Sequence, residues 1–196
     1  MTRKERASIW ISNVLNPMPV AVVVFAVIVF GHTDISLPKR ILFFSITSVC
    51  TSIFPFLFLY SLKRRGRIKS IDIDLREKRV LPLFLGGLNF LAGFLLLKWL
   101  GAPNLVTGLM FCYGTNTIIL VLITRYWKVS LHASGVAGPI TGLFLMFGMT
   151  ASPCFALIPL VSVSRVILKK HTPMQVTIGS ILGVGLTAFQ LQQFFL

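Results

Sequence analysis

Long apolar runs, broken by short basic stretches, dominate this chain. Seven such runs can be marked, at about 17–32, 41–62, 80–100, 104–124, 133–150, 152–168 and 172–196. A membrane-crossing helix needs roughly 20 mostly apolar residues. The pattern therefore predicts an all-α fold, a polytopic transmembrane helix bundle of six to seven spans. The first, fifth and sixth runs are short. Residues 7–16 are predicted to lie in the membrane interface and to extend the first helix. The connection at 150–153, with Pro153, reads as a tight turn, and a tilted or re-entrant 133–168 would change the helix count.

Composition supports this class. The chain has 196 residues, 55% of them hydrophobic and 12% charged, with a mean hydropathy of +0.85. A soluble domain carries about 25% charged residues. One membrane domain spanning residues 1–196 is expected, with no separate soluble domain. The run Pro19 to Phe30 ends in Gly31-His32-Thr33-Asp34 without a small-x-small cleavage site, so it reads as an uncleaved first span.

The net charge is +14. In a soluble chain this would suggest nucleic acid. Here the basic residues sit in short loops, so topology and anionic lipid account for them better, and nucleic acid is not an expected partner. Sixteen Lys and Arg fall on one predicted side, against Lys39, Arg40 and Lys98 on the other. The excess marks the first side as cytoplasmic. Cys50, Cys112 and Cys154 all fall inside predicted spans without metal-ligand spacing and read as small buried hydrophobes. Gly138 and Gly142, and Gly179 and Gly183, recur at four-residue spacing, which lets helices approach closely in lipid.

Three basic clusters fall on the predicted cytoplasmic side. The first runs from Lys69 to Arg79, followed by Val-Leu-Pro82; the second is Lys128-Val-Ser130-Leu-His132; the third is Ser164-Arg165, five residues, then His171. Two spans separate each from the next, as a shared face requires. Such a set suits phosphoryl transfer from a monoester or a diphosphate. Arginines fork onto phosphate oxygens, and the helix start near Ala133 offers free N–H groups. One neutral histidine can attack phosphorus, while a second, protonated one donates to the leaving oxygen. The scheme needs no metal and no other cofactor.

These residues resemble the motifs of the type 2 phosphatidic acid phosphatase superfamily, which includes lipid phosphatases. Its motifs are Lys-x6-Arg-Pro, Pro-Ser-Gly-His and Ser-Arg-x5-His-x3-Asp. The third is matched by Ser164, Arg165 and His171 in register. The resemblance implies His171 as nucleophile and Arg165 as phosphate ligand. The second is matched in part: Ser130 and His132 stand in place, with Val129 for proline and Leu131 for glycine. It implies Ser130 as phosphate ligand and His132 as general acid. For the first, Lys69 and Arg76 keep the spacing while Glu77 replaces proline. The alternative Arg76-x-x-Arg79-x-x-Pro82 looks like divergent members of the family. Arg76, Arg79, Lys69 and Lys128 are the further phosphate-binding expectations.

The family aspartate that orients the nucleophile is Gln175 here. Its carbonyl can accept the ring N–H but gives less charge stabilisation. Asp72, Asp74 or Glu77 could stand in, or the substrate could have a better leaving group, such as a diphosphate. Asp72-x-Asp74 amid basic residues is a weak magnesium signal, and His32 reads as a loop residue.

The resemblance implies a metal-independent membrane lipid phosphatase working through a phosphohistidine. Its expected partners are a lipid phosphate substrate and membrane lipids. Isoprenoid phosphates or diphosphates, phosphatidate and phosphatidylglycerophosphate are candidate substrates. The alternative is a non-catalytic membrane protein that binds anionic lipid through its basic face.

Overall fold

The computed structural model describes every residue except Asp74 and the side chain of Arg76. Among the described residues the chain forms helices joined by short connections, without strands. Nine α-helices follow one another among the described residues: α1 (Arg3–Val14), α2 (Pro17–Gly31), α3 (Leu37–Ser48), α4 (Phe54–Arg64), α5 (Arg76–Trp99), α6 (Asn104–Thr124), α7 (Leu131–Phe147), α8 (Leu157–Ile167) and α9 (Pro173–Phe194). A π-helical turn, Val49–Ile53, joins α3 to α4, and a 3-10 stretch, Gly148–Ala156, joins α7 to α8.

Among the described residues five helical stretches are long and apolar enough to cross a membrane, and six if the bent pair α1 and α2 is one span. The seven runs read from the sequence do not map onto these one to one. The runs 133–150 and 152–168 belong to a single stretch, Leu131–Ile167. That stretch folds back on itself, because its flanks meet: Lys128 Nζ donates to the Lys170 carbonyl at 2.9 Å. Gly148, at φ 59°, supplies the left-handed conformation at the end of α7. The connection is longer than a tight turn, and Pro153 lies within it.

The N-terminal segment also departs from a simple extension of one helix. Asn16 follows the end of α1 and caps α2, its Oδ1 accepting from Met18 N at 3.0 Å. Pro17 at the first position of α2 has no N–H to waste there. The two helices meet at a bend of 47°, so α1 packs along α8 while α2 packs on α3 and α7.

Close helix approach organises the rest. Helices α5 and α6 form an antiparallel hairpin around Gly101, at φ 70°. A Cβ on Gly114 would meet Leu91 side-chain atoms at 2.6 Å, and one on Gly87 would meet Ile118 at 2.7 Å. Helices α7 and α9 run parallel: a Cβ on Gly179 would stand 2.7 Å from the Ser130 carbonyl, and one on Gly183 2.6 Å from that of Ser134. The four-residue glycine spacing on α9 thus serves helix contact. Phe25, Ile28, Phe43, Leu97, Met110 and Leu191 anchor the main core. Large apolar side chains such as Leu57, Leu95, Val163 and Phe189 stay exposed on the outside, as lipid-facing residues do.

Candidate active site

One end of the bundle gathers the starts of α5, α7 and α9, the end of α8, the α1–α2 junction and the 65–75 connection. Each contributes a polar side chain for a local reason.

His171 comes first. After α8 the chain turns sharply, with the amides of Lys170 and His171 both donating to the Arg165 carbonyl, at 3.1 and 3.4 Å. Lys169 takes φ 53° to make that turn. Thr172 then caps α9, and Gln175 completes a capping box with it. Gln175 Oε1 accepts from the Thr172 amide at 3.2 Å and lies 3.1 Å from His171 Nδ1. A backbone N–H can only donate, so that atom of Gln175 is the oxygen. His171 Nδ1 must therefore donate, leaving the lone pair of the neutral ring on Nε2. Burial pushes the His171 pKa down to about 4. Arg79, Lys128 and Arg165 push the same way, and the Gln175 bond opposes them. The ring is neutral at pH 7.

His132 lies in the first turn of α7 and faces the same cavity as His171. Asn16 has committed its oxygen to Met18, so its amide N–H is what meets His132 Nε2, at 3.4 Å.

Arg165, in the last turn of α8, is 2% exposed. Its guanidinium donates to Ser12 Oγ at 2.9 Å and to Asp72 Oδ2 at 2.6 Å. Its Nε has no hydrogen-bond partner among the described residues. Arg79, in the first turn of α5, is 4% exposed and donates through Nε to the Ile73 carbonyl. Burial would raise the Asp72 carboxyl, but the Arg165 guanidinium, aided by Arg79, outweighs it and holds the group below its usual range.

These groups surround the mouth of a cavity of about 240 Å³. Asp72, Arg79, His132 and His171 form its polar end, while Phe54, Phe58, Leu83, Phe90 and Leu120 line an apolar sleeve beyond. The π-helical turn widens the helix beside this sleeve, next to Pro55, whose missing N–H leaves the ladder short of a donor. Further along the wall Asn116 donates to Thr187 Oγ1 at 3.0 Å, and Gln190 donates to Asn116 Oδ1 at 3.0 Å. These bonds tie α6 to α9.

Of the residues singled out in the sequence, Arg79, His132 and His171 share the cavity. Arg165 reaches it through Asp72, and Gln175 touches His171. Lys128 is fixed on the Lys170 carbonyl and bears on His171 by charge. Two side chains are placed elsewhere. Ser130 is fully buried and caps α7, its hydroxyl accepting from Ala133 N at 3.3 Å. That bond uses an acceptor lone pair of the hydroxyl and one N–H group expected to receive phosphate. Lys69 is exposed on the connection and is not among the residues lining the cavity. The side chain of Arg76, and Asp74, lie outside the described residues. Ser12, Asn16 and the pairing of Asp72 with Arg165 were not anticipated. Ser8 and Ser12, both buried on α1, carry the four-residue small-residue spacing that marks helix contact. That signal would have pointed to α1 as a packed element. Among the described residues no group of three or more His, Cys, Asp or Glu side chains is placed to hold a metal ion.

Comparisons of the chain with protein-family models, with curated proteins and with solved structures give no match.

Proposed function

We propose that this chain is an integral-membrane lipid phosphatase of the type 2 phosphatidic acid phosphatase kind, metal-independent and working through a phosphohistidine. The observation that carries the reading is His171. Its Nδ1 is held by Gln175, its Nε2 keeps a lone pair, and it stands where a basic mouth opens into an apolar sleeve. A lipid monophosphate or diphosphate fits that division, with its phosphate among the arginines and its chain in the sleeve.

In the proposed reaction Nε2 of His171 attacks phosphorus, and the bond from phosphorus to the lipid oxygen breaks. The leaving oxygen takes a proton from His132 in its protonated form. Water then attacks the phosphoryl group, giving its proton to His132. The P–N bond breaks, and inorganic phosphate leaves with the histidine restored. Arg165 and Arg79 stabilise charge on the equatorial oxygens, the largest lever that phosphoryl transfer offers. Isoprenoid mono- and diphosphates, phosphatidate and phosphatidylglycerophosphate remain the substrate candidates. The site is proposed to face the cytoplasm, from the excess of Lys and Arg at its end of the chain's loops.

The test is phosphate release by detergent-purified protein, with EDTA present, across a panel of these lipids beside His171→Ala. Release by the parent protein and its loss in the variant is the expected result. Equal release by both would remove His171 as nucleophile.

A second reading, an anionic-lipid-binding protein without catalysis, draws on two observations. Asp72 already neutralises Arg165, and an amide rather than a carboxylate holds His171. Under that reading lipid phosphates bind, but none is turned over.

A further inference from the structure

Two of the cations that the proposed reaction needs are engaged by consecutive residues of one short stretch. Arg165 donates to the Asp72 carboxylate at 2.6 Å, and Arg79 donates to the Ile73 carbonyl. The stretch carrying them lies between α4 and α5 and has no helix of its own at 71–73. Ile71, Asp72 and Ile73 all line the cavity that His132 and His171 face.

A carboxylate on a guanidinium presents two oxygens as a phosphate edge does, with a single negative charge. The partners differ in how firmly they are held. The Arg165 side chain is 3% exposed and tied to α1 through Ser12, whereas the Asp72 side chain is 33% exposed. The aspartate is the half free to leave. Resting on the functional reading above, we propose that Asp72 and Ile73 form an internal latch on the anion seat, which the phosphate of an entering substrate displaces.

A phosphate monoester or diphosphate brings two or more negative charges to Arg165 and Arg79; the carboxylate brings one. Displacement therefore favours the substrate. The latch lowers the apparent affinity of every anion by the same factor, the fraction of molecules that are open. Its effect falls on weak ligands. Singly charged phosphodiester headgroups, abundant in any membrane, then leave the seat empty, and the doubly charged monoester still fills it. The latch also gives the buried Arg165 guanidinium a counter-charge while the site is empty.

The experiment measures inorganic phosphate binding to the detergent-solubilised full chain, parent and Asp72→Asn, by calorimetry. Removing the latch should tighten phosphate binding about tenfold, if the open form is about one part in ten at rest. Asp72→Asn also strips Arg165 of its counter-charge and could impair folding. The companion measurement therefore leaves Asp72 in place. Ile71→Cys is introduced, and its reaction with a charged maleimide is followed against the background of the native cysteines. Saturating phosphate should speed that reaction.

Phosphate binding by the parent with equal or weaker binding by an Asp72→Asn protein that melts as the parent does would overturn the latch and leave the functional reading intact. Labelling of the Ile71→Cys variant that phosphate leaves unchanged or slows would do the same. No phosphate binding by either protein would remove the anion seat itself, and both readings with it.

Discussion

At the residue scale His171 and Gln175 carry the proposed chemistry. A histidine with a pKa lowered to about 4 keeps its neutral form far below the usual range. If neutral His171 is the attacking group, the acid limb of kcat/KM falls near pH 4, and activity is lost as pH drops through that value. A limb near the ordinary histidine value of about 6.5 would mean that another group governs. Gln175→Glu sharpens the test, because it keeps the size and the capping box while adding a negative charge beside the ring. The charge favours the imidazolium, so the acid limb moves up, while a carboxylate at a helix start adds about 0.5 kcal/mol of stability. A pH–rate profile paired with a thermal melt reads both effects. Ser12 offers a separate check. Its hydroxyl accepts from a buried guanidinium, so Ser12→Ala should cost about 1.5 kcal/mol, seen as a lower melting temperature in detergent. An unchanged melt would show that the contact contributes nothing.

At the element scale, the parallel pair α7 and α9 fixes the distance between the two histidines. The Ser130 amide donates to the Gln175 carbonyl at 3.2 Å, so the two helix starts are tied together close to the chemistry. Gly183→Ala would press a methyl group against the Ser134 backbone, where nothing flexible can yield. Overpacking of this kind costs about 1–3 kcal/mol, and activity should fall with stability. Gly185→Ala is the control: nothing stands within 4 Å of its Cβ, and helix propensity alone favours alanine by up to about 1 kcal/mol. Similar melts for the two variants would contradict the close-packed arrangement. The turn at Lys169 invites the opposite substitution. Lys169→Gly removes the cost of a left-handed side-chain residue, about 1 kcal/mol or somewhat more, and should leave kcat unchanged. A fall in stability would show that the lysine side chain matters more than its backbone.

At the scale of the whole molecule, the apolar pattern made the helical membrane class legible. Length, hydropathy and charge distribution are summed along the chain, and lipid imposes that sum directly. The glycines of α9 were legible for the same reason, since helical spacing places them on one face. The reversal between α7 and α8 was legible as two apolar runs with a turn at 150–153, whereas the length of the 3-10 connection, Gly148–Ala156, was not. The pairings within the site were least visible. Arg165 finds Ser12 and Asp72 across 153 and 93 residues of chain, and no local pattern encodes such a meeting. His171, His132 and Arg79 share one cavity, while the motif could not reveal that Ser130 Oγ would accept from a helix-cap N–H. Aromatic side chains mark both ends of the bundle: Trp99 closes α5 at one end and Tyr126 follows α6 at the other, each 81% exposed. Trp and Tyr favour membrane interfaces, and exposed aromatic residues at both ends of the α5–α6 hairpin are compatible with a bundle that crosses a membrane.

The central claim is that His171 takes the phosphoryl group. It is tested most directly by mixing the purified protein with a lipid phosphate, quenching in alkali within the first turnovers, and mapping phosphorylation by mass spectrometry. A phosphoryl group on His171, acid-labile and absent from His171→Ala, is the predicted result. Phosphate release with no phosphoryl group on His171, or with one on another residue, would contradict the account.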